Sequence, residues 1–135
     1  MPNTFPKHNL ETAPEKSKPL LRQLLEQSGP NGFYSVTAES PETLTAYAML
    51  HKAFMASSFT NEEKTVIWQT INVENQCHFC VPAHTYMAKA MKIDKAVSDA
   101  LRNETALPTA RLEALRDFTL LMLRNHGNAL SLIHI

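Results

Sequence analysis

Apolar residues recur at helical spacing along the chain, and β-branched residues do not alternate with polar ones, so an all-α fold is expected. Leu20, Leu21, Leu24 and Leu25 form one stripe and predict a helix over 19–27, with Pro19 in its first turn and Ser28-Gly29 ending it. Residues 29–38 read as a loop, with Phe33 and Tyr34 tucked onto the core. Ser40 is placed to cap the next helix, which runs to about 57 and turns Leu44, Tyr47, Ala48, Phe54 and Met55 to one side, with His51 among them. Thr60 and Glu63 match a capping box. The helix it opens reaches about 74, with Val66, Ile67, Thr70 and Ile71 turned inward. Asn75-Gln76 breaks the chain direction just before Cys77. Another helix follows to about 91, with Pro82 tolerated in its first turn and Cys80, His84, Met87, Ala88 and Met91 on one face. Asp94 caps a short helix over 95–102. The last helix spans 108–125 and is apolar nearly all round over Phe118, Leu120, Leu121, Met122 and Leu123, as suits a central helix or a subunit interface.

Length and charge narrow the possibilities. The 135 residues suffice for one domain with a modest core. Lys and Arg total 13, as do Asp and Glu, so nothing attracts a nucleic-acid backbone or an anionic membrane surface. No apolar run approaches the roughly 18–20 residues that span a bilayer. The polar, proline-bearing stretch 1–17 reads as a flexible N-terminal segment without the apolar region of a secretory signal, so a cytoplasmic location is expected. Asn103-Glu104-Thr105 then matches a glycosylation sequon by coincidence. The helical domain is expected over 18–129. The final hexapeptide, 130–135, is what the string CTG TCT CTT ATA CAC ATC encodes. That string resembles a sequencing-library adapter, which would leave the domain truncated near Ala129.

The chemistry centres on the chain's two cysteines, Cys77 and Cys80, with His84 one helical turn beyond the second. Thiols at this spacing can close a disulfide across one turn, and a helix start lowers a thiol pKa from about 8.5 toward ~3.5–7.5. An imidazole at i+4 from Cys80 lies on the same helix face and can take a thiol proton. In a reducing compartment such a pair reads as redox-active or metal-binding rather than structural. Three further possibilities stay open. Cys77, Cys80 and His84 supply three zinc ligands, with His51 or His78 as a fourth, in a non-enzymatic metal-binding module. The thiols can instead be inert and buried, or the chain an inactive fragment. His78 either tunes the thiols or is an exposed linker residue, His51 reads as a core histidine, and His126 as a helix C-terminal cap.

The stretch 60–84, TNEEKTVIWQTINVENQCHFCVPAH, resembles the core of the carboxymuconolactone decarboxylase superfamily, in its alkylhydroperoxidase D-like branch. The shared features are a capped helix with an early acidic residue, Glu63, then Asn75, Cys77, Cys80 and His84 at the next helix start. The resemblance implies an all-α antiparallel helical bundle that assembles as a homo-trimer or trimer-based hexamer. It implies a peroxiredoxin-like enzyme that reduces hydroperoxides or disulfides through its cysteine pair. No organic cofactor is needed; electrons come from a thioredoxin-like or lipoyl dithiol partner. In that branch the second cysteine, here Cys80, becomes the sulfenic acid, and the first, Cys77, is the proton donor or resolving thiol. Helix position alone favours Cys77 as the nucleophile. The family's relay glutamate, about 12 residues before the first cysteine, falls on Thr65, which leaves Glu63 and Glu74 as the candidate replacements. The decarboxylase branch usually lacks the cysteine pair, so lactone decarboxylation is not expected.

Overall fold

The computed structural model describes residues 5–128; the expectations for 130–135 and for a domain end near 129 lie outside them. The described residues form seven helices and no strand: α1 Lys18–Ser28, α2 Gly32–Thr37, α3 Pro41–Met55, α4 Asn61–Glu74, α5 Cys80–Ala90, α6 Lys95–Arg102 and α7 Ala110–Arg124. They fall into two compact units that divide between Ser57 and Ser58.

The first unit holds α1 to α3. Leu21, Ala38 and Leu44 are completely buried, Ala13 nearly so, and Leu10, Leu20, Leu24, Leu25 and Tyr34 pack around them. Residues 5–17, assigned from sequence to a flexible segment, thus contribute Ala13 to this core. They also contribute Ser17, whose buried hydroxyl donates to the Ala38 carbonyl at 2.7 Å. Residues 29–38 are not all loop. The Asn31 carboxamide accepts from the N–H groups of Phe33 and Tyr34, which starts the six-residue α2. Ser40 caps α3 as expected, accepting from Thr43 N. On α3, Leu44 is buried, Tyr47 stays partly exposed and stacks on His51 at a 6.2 Å centroid distance, and Met49 and Leu50 face outward.

The second unit is organised around α4, which packs against α5, α6 and α7. Its core is Val66, Val97, Ala100, Leu101, Leu107 and Leu112, with Ile93 and Leu115 against it. Because α4 has neighbours on three sides, it buries polar residues as well as Val66: Glu63, Lys64, Thr65, Gln69, Thr70 and Asn72. Ile67 and Ile71, expected inward, are only half-buried. Thr60 and Glu63 make the expected capping box, each side chain on the other's backbone N–H at 3.2 and 2.9 Å. Asp94 caps α6 through Ala96 N. α7 starts later than 108, because the Thr109 hydroxyl accepts from Leu112 N and makes Thr109 the cap. On α7, Phe118 is exposed and Leu120, Leu121, Met122 and Leu123 are half-buried.

Four non-glycine residues of this unit have left-handed backbone, Gln76, Lys92, Glu104 and His126, and each follows the C-terminus of one of its helices. Behind α4 the bonds Gln76 N to Val73 O at 2.9 Å and Cys77 N to Asn72 O at 3.0 Å complete a Schellman ending. No helix among the described residues is long and apolar enough to cross a membrane.

Candidate active site

Cys77 and Cys80 are joined as a disulfide, with Cα atoms 5.2 Å apart, inside the ~4.4–6.8 Å such a bridge needs. The two cysteines span the turn that leads from α4 into α5. The expectation of both at a helix start holds for Cys80, the first residue of α5; Cys77 lies three residues before it, its carbonyl accepting from Val81 N of α5 at 3.1 Å and its N–H bonded into the ending of α4. The reason is the left-handed Gln76, φ 50°, which turns the chain so that the Cys77 N–H returns to Asn72.

One amide at the start of α5 faces a sulfur. Cys80 N lies 3.1 Å from Cys77 Sγ as a hydrogen-bond donor. That N–H, at the positive end of the helix, favours negative charge on Cys77 once the disulfide is opened. Both cysteines are half-buried, while His78 and Phe79 between them are exposed, so a reactant can approach the bridge from solvent.

His84 lies one turn along α5 from Cys80, on the same helix face. It is half-buried, and its ring sits 5.0 Å from the Trp68 ring of α4 at a 53° tilt. Trp68 therefore flanks the histidine, a contact that core assignment alone did not suggest.

Neither candidate glutamate is committed to the cysteines. The Glu63 carboxylate accepts from its own cap residue, Thr60, and from Arg111 Nε at 2.7 Å. These bonds, the Thr60 N–H first, hold its pKa below the ordinary carboxylate value. Glu74 takes a two-pronged contact from Arg124, at 2.6 and 2.9 Å, and the same guanidinium lowers its pKa. Thr65 is buried and donates its hydroxyl to the Asn61 carbonyl at 2.9 Å. The 180 Å³ cleft beside Glu74 is walled by residues of α7 and α4 such as Leu120, Asp117 and Val73 and includes neither cysteine nor His84.

Among the described residues no group of three or more His, Cys, Asp and Glu side chains is arranged to hold a metal ion. Sulfurs committed to a disulfide are not thiolate ligands.

Two residues that the apolar pattern passed over tie the site together. Gln69, 2% exposed, donates from Nε2 to the Val81 carbonyl at 3.0 Å and to Thr85 Oγ1 at 2.9 Å. Its Oε1 accepts from Asn72 Nδ2 at 3.1 Å. An unsatisfied buried amide costs about 1–3 kcal/mol, and these bonds offset that cost at the α4–α5 contact. The available signal was an amide pair spaced three apart within an otherwise inward-facing helix. No protein-family model and no curated protein matches the chain.

Proposed function

We propose that this chain is a thiol-dependent oxidoreductase of the alkylhydroperoxidase D-like kind, which reduces hydroperoxides or disulfides through Cys77 and Cys80. The observation that carries the reading is the Cys77–Cys80 disulfide at the start of α5, with His84 one turn along the same helix. The Cys80 thiolate attacks the distal oxygen of a hydroperoxide, becomes a sulfenic acid, and releases an alcohol once the departing alkoxide takes a proton. Cys77, favoured as thiolate by the Cys80 N–H, attacks the Cys80 sulfur. The S–S bond forms and hydroxide leaves, protonated to water. His84 is the acid/base for both proton movements. A dithiol partner, thioredoxin-like or lipoyl, then reduces the bridge by thiol–disulfide exchange and carries away the oxidising equivalents. The corresponding setting is cytoplasmic, in an antiparallel helical bundle assembled as a homo-trimer or hexamer.

The test is steady-state consumption of an organic hydroperoxide with a dithiol reductant in excess. Wild type consumes one dithiol per hydroperoxide, whereas Cys80→Ser does not turn over. Equal consumption by both proteins contradicts the reading.

A further inference from the structure

Once the bridge is opened, nothing covalent sets Cys77 and Cys80 near each other except the short turn between them. Cys77 is anchored to α4 by its N–H on the Asn72 carbonyl, and its own carbonyl accepts from Val81 N at 3.1 Å in the first turn of α5, where Cys80 sits. How readily the bridge re-forms therefore depends on how firmly the first turn of α5 is held against the last turns of α4.

Gln69 is the side chain that reaches across. Its carboxamide donates to the carbonyl of Val81, the residue after Cys80, and to the Thr85 hydroxyl one turn on. A carbonyl oxygen only accepts, so Nε2 must face it, and Oε1 faces Asn72 Nδ2. Asn72 is also the residue whose carbonyl holds Cys77. A path thus runs from the Cys77 N–H through Asn72 and Gln69 to the Val81 carbonyl, beside Cys80. Thr85 closes it by donating its hydroxyl to the same Val81 oxygen at 2.7 Å.

We propose that Gln69 is a positioning residue for the cysteine pair, holding the first turn of α5 against α4 so that the reduced thiols stay within bonding reach and the Cys80 N–H stays on Cys77 Sγ. This rests on the redox reading of the pair. It concerns the equilibrium in which the protein disulfide and two glutathione thiols exchange for the protein dithiol and glutathione disulfide. That equilibrium constant reports the effective concentration of one cysteine at the other. General loss of stability in a protein that remains folded does not change it.

The test measures that constant at pH 7 for wild type, Gln69→Met, Thr85→Val and Val66→Ala. Gln69→Met keeps side-chain volume and removes both donors. It should lower the effective concentration about tenfold, equivalent to a midpoint about 30 mV more oxidising. Thr85→Val, which removes one of the two groups Gln69 donates to, should shift it in the same direction by less. Val66→Ala, in the core of the same helix, should lower the melting temperature and leave the constant unchanged. A folded Gln69→Met with the wild-type constant overturns the proposal, as does a Val66→Ala shift of equal size. Should Gln69→Met fail to fold, an unchanged constant in Thr85→Val overturns it. Failure of the oxidoreductase reading would show separately, as wild-type protein whose pair equilibrates with glutathione yet which consumes no hydroperoxide with a dithiol reductant in excess.

Discussion

The N–H of Cys77 donates to the carbonyl oxygen of Asn72, five residues earlier, at 3.0 Å. This bond ties the first cysteine to the ending of α4, while its carbonyl accepts from Val81 N at 3.1 Å and the second cysteine begins α5. The bridge therefore joins two elements that also meet through Gln69 and Val81. The bridge lies at a helix–helix junction.

The junction depends on a left-handed residue that is not glycine. Gln76 has φ 50°, a region that costs an L-residue roughly 1–2 kcal/mol, against about 0.5–1 kcal/mol of extra chain entropy lost by glycine. Gln76→Gly should therefore raise the stability of the oxidised protein by about 0.5–1 kcal/mol, read by chemical denaturation. Gln76→Val should lower it. A destabilising glycine would show that the Gln76 side chain makes a contact worth more than the backbone relief.

The capping box offers a local test of the α4 start. Thr60 accepts the Glu63 N–H, and its loss leaves that donor without its side-chain partner. Thr60→Ala should cost about 1 kcal/mol of unfolding free energy, and Thr60→Ser much less. Equal losses for the two would mean that the methyl group matters rather than the hydroxyl.

Acid should loosen the same unit. Bonds from Thr60 and Arg111 hold the Glu63 pKa below its ordinary value of 4.5, and Leu107 N with Arg116 does the same for Glu113. A depressed folded-state pKa gives stability that is fully present above the unfolded value and lost as pH falls through the folded one. Stability from these carboxylates should therefore be level above pH 5 and decline below about 4.5. Glu63→Gln should flatten part of that decline while lowering the plateau. An unaltered acid profile in Glu63→Gln would contradict the assignment.

His84 separates catalysis from packing. His84→Ala should retain the helical circular-dichroism signal and slow hydroperoxide turnover by roughly 10²–10⁴-fold near neutral pH, the usual size of an acid/base contribution. His51→Ala should leave turnover unaltered. A wild-type rate in His84→Ala would remove the histidine from the mechanism.

Much of this architecture was legible because its signals are local. Ser40, Thr60 with Glu63, and Asp94 each mark a helix start by chemistry acting within three residues, and each caps where expected. The Cys77–Cys80 bridge likewise follows from spacing. The short α2 carries no comparable signal, because one Asn31 carboxamide starts it among glycine and aromatic residues that read as loop. The partners of Glu63 and Glu74 carry none for a different reason: Arg111 and Arg124 lie 48 and 50 residues away, and only packing of α7 on α4 brings them in. Gln69 and Asn72 were passed over because an apolar-face count treats amides as solvent-facing. With helices on three sides, α4 must satisfy them internally.

The most direct test of the central claim is a single turnover watched by mass. Cys77→Ser, reduced and mixed with one equivalent of an organic hydroperoxide and a sulfenic-acid trap, should gain one trap adduct on Cys80. Wild type under the same conditions should instead lose two protons as the Cys77–Cys80 bridge closes. An adduct-free variant, together with wild type that keeps two alkylatable thiols, would contradict the account.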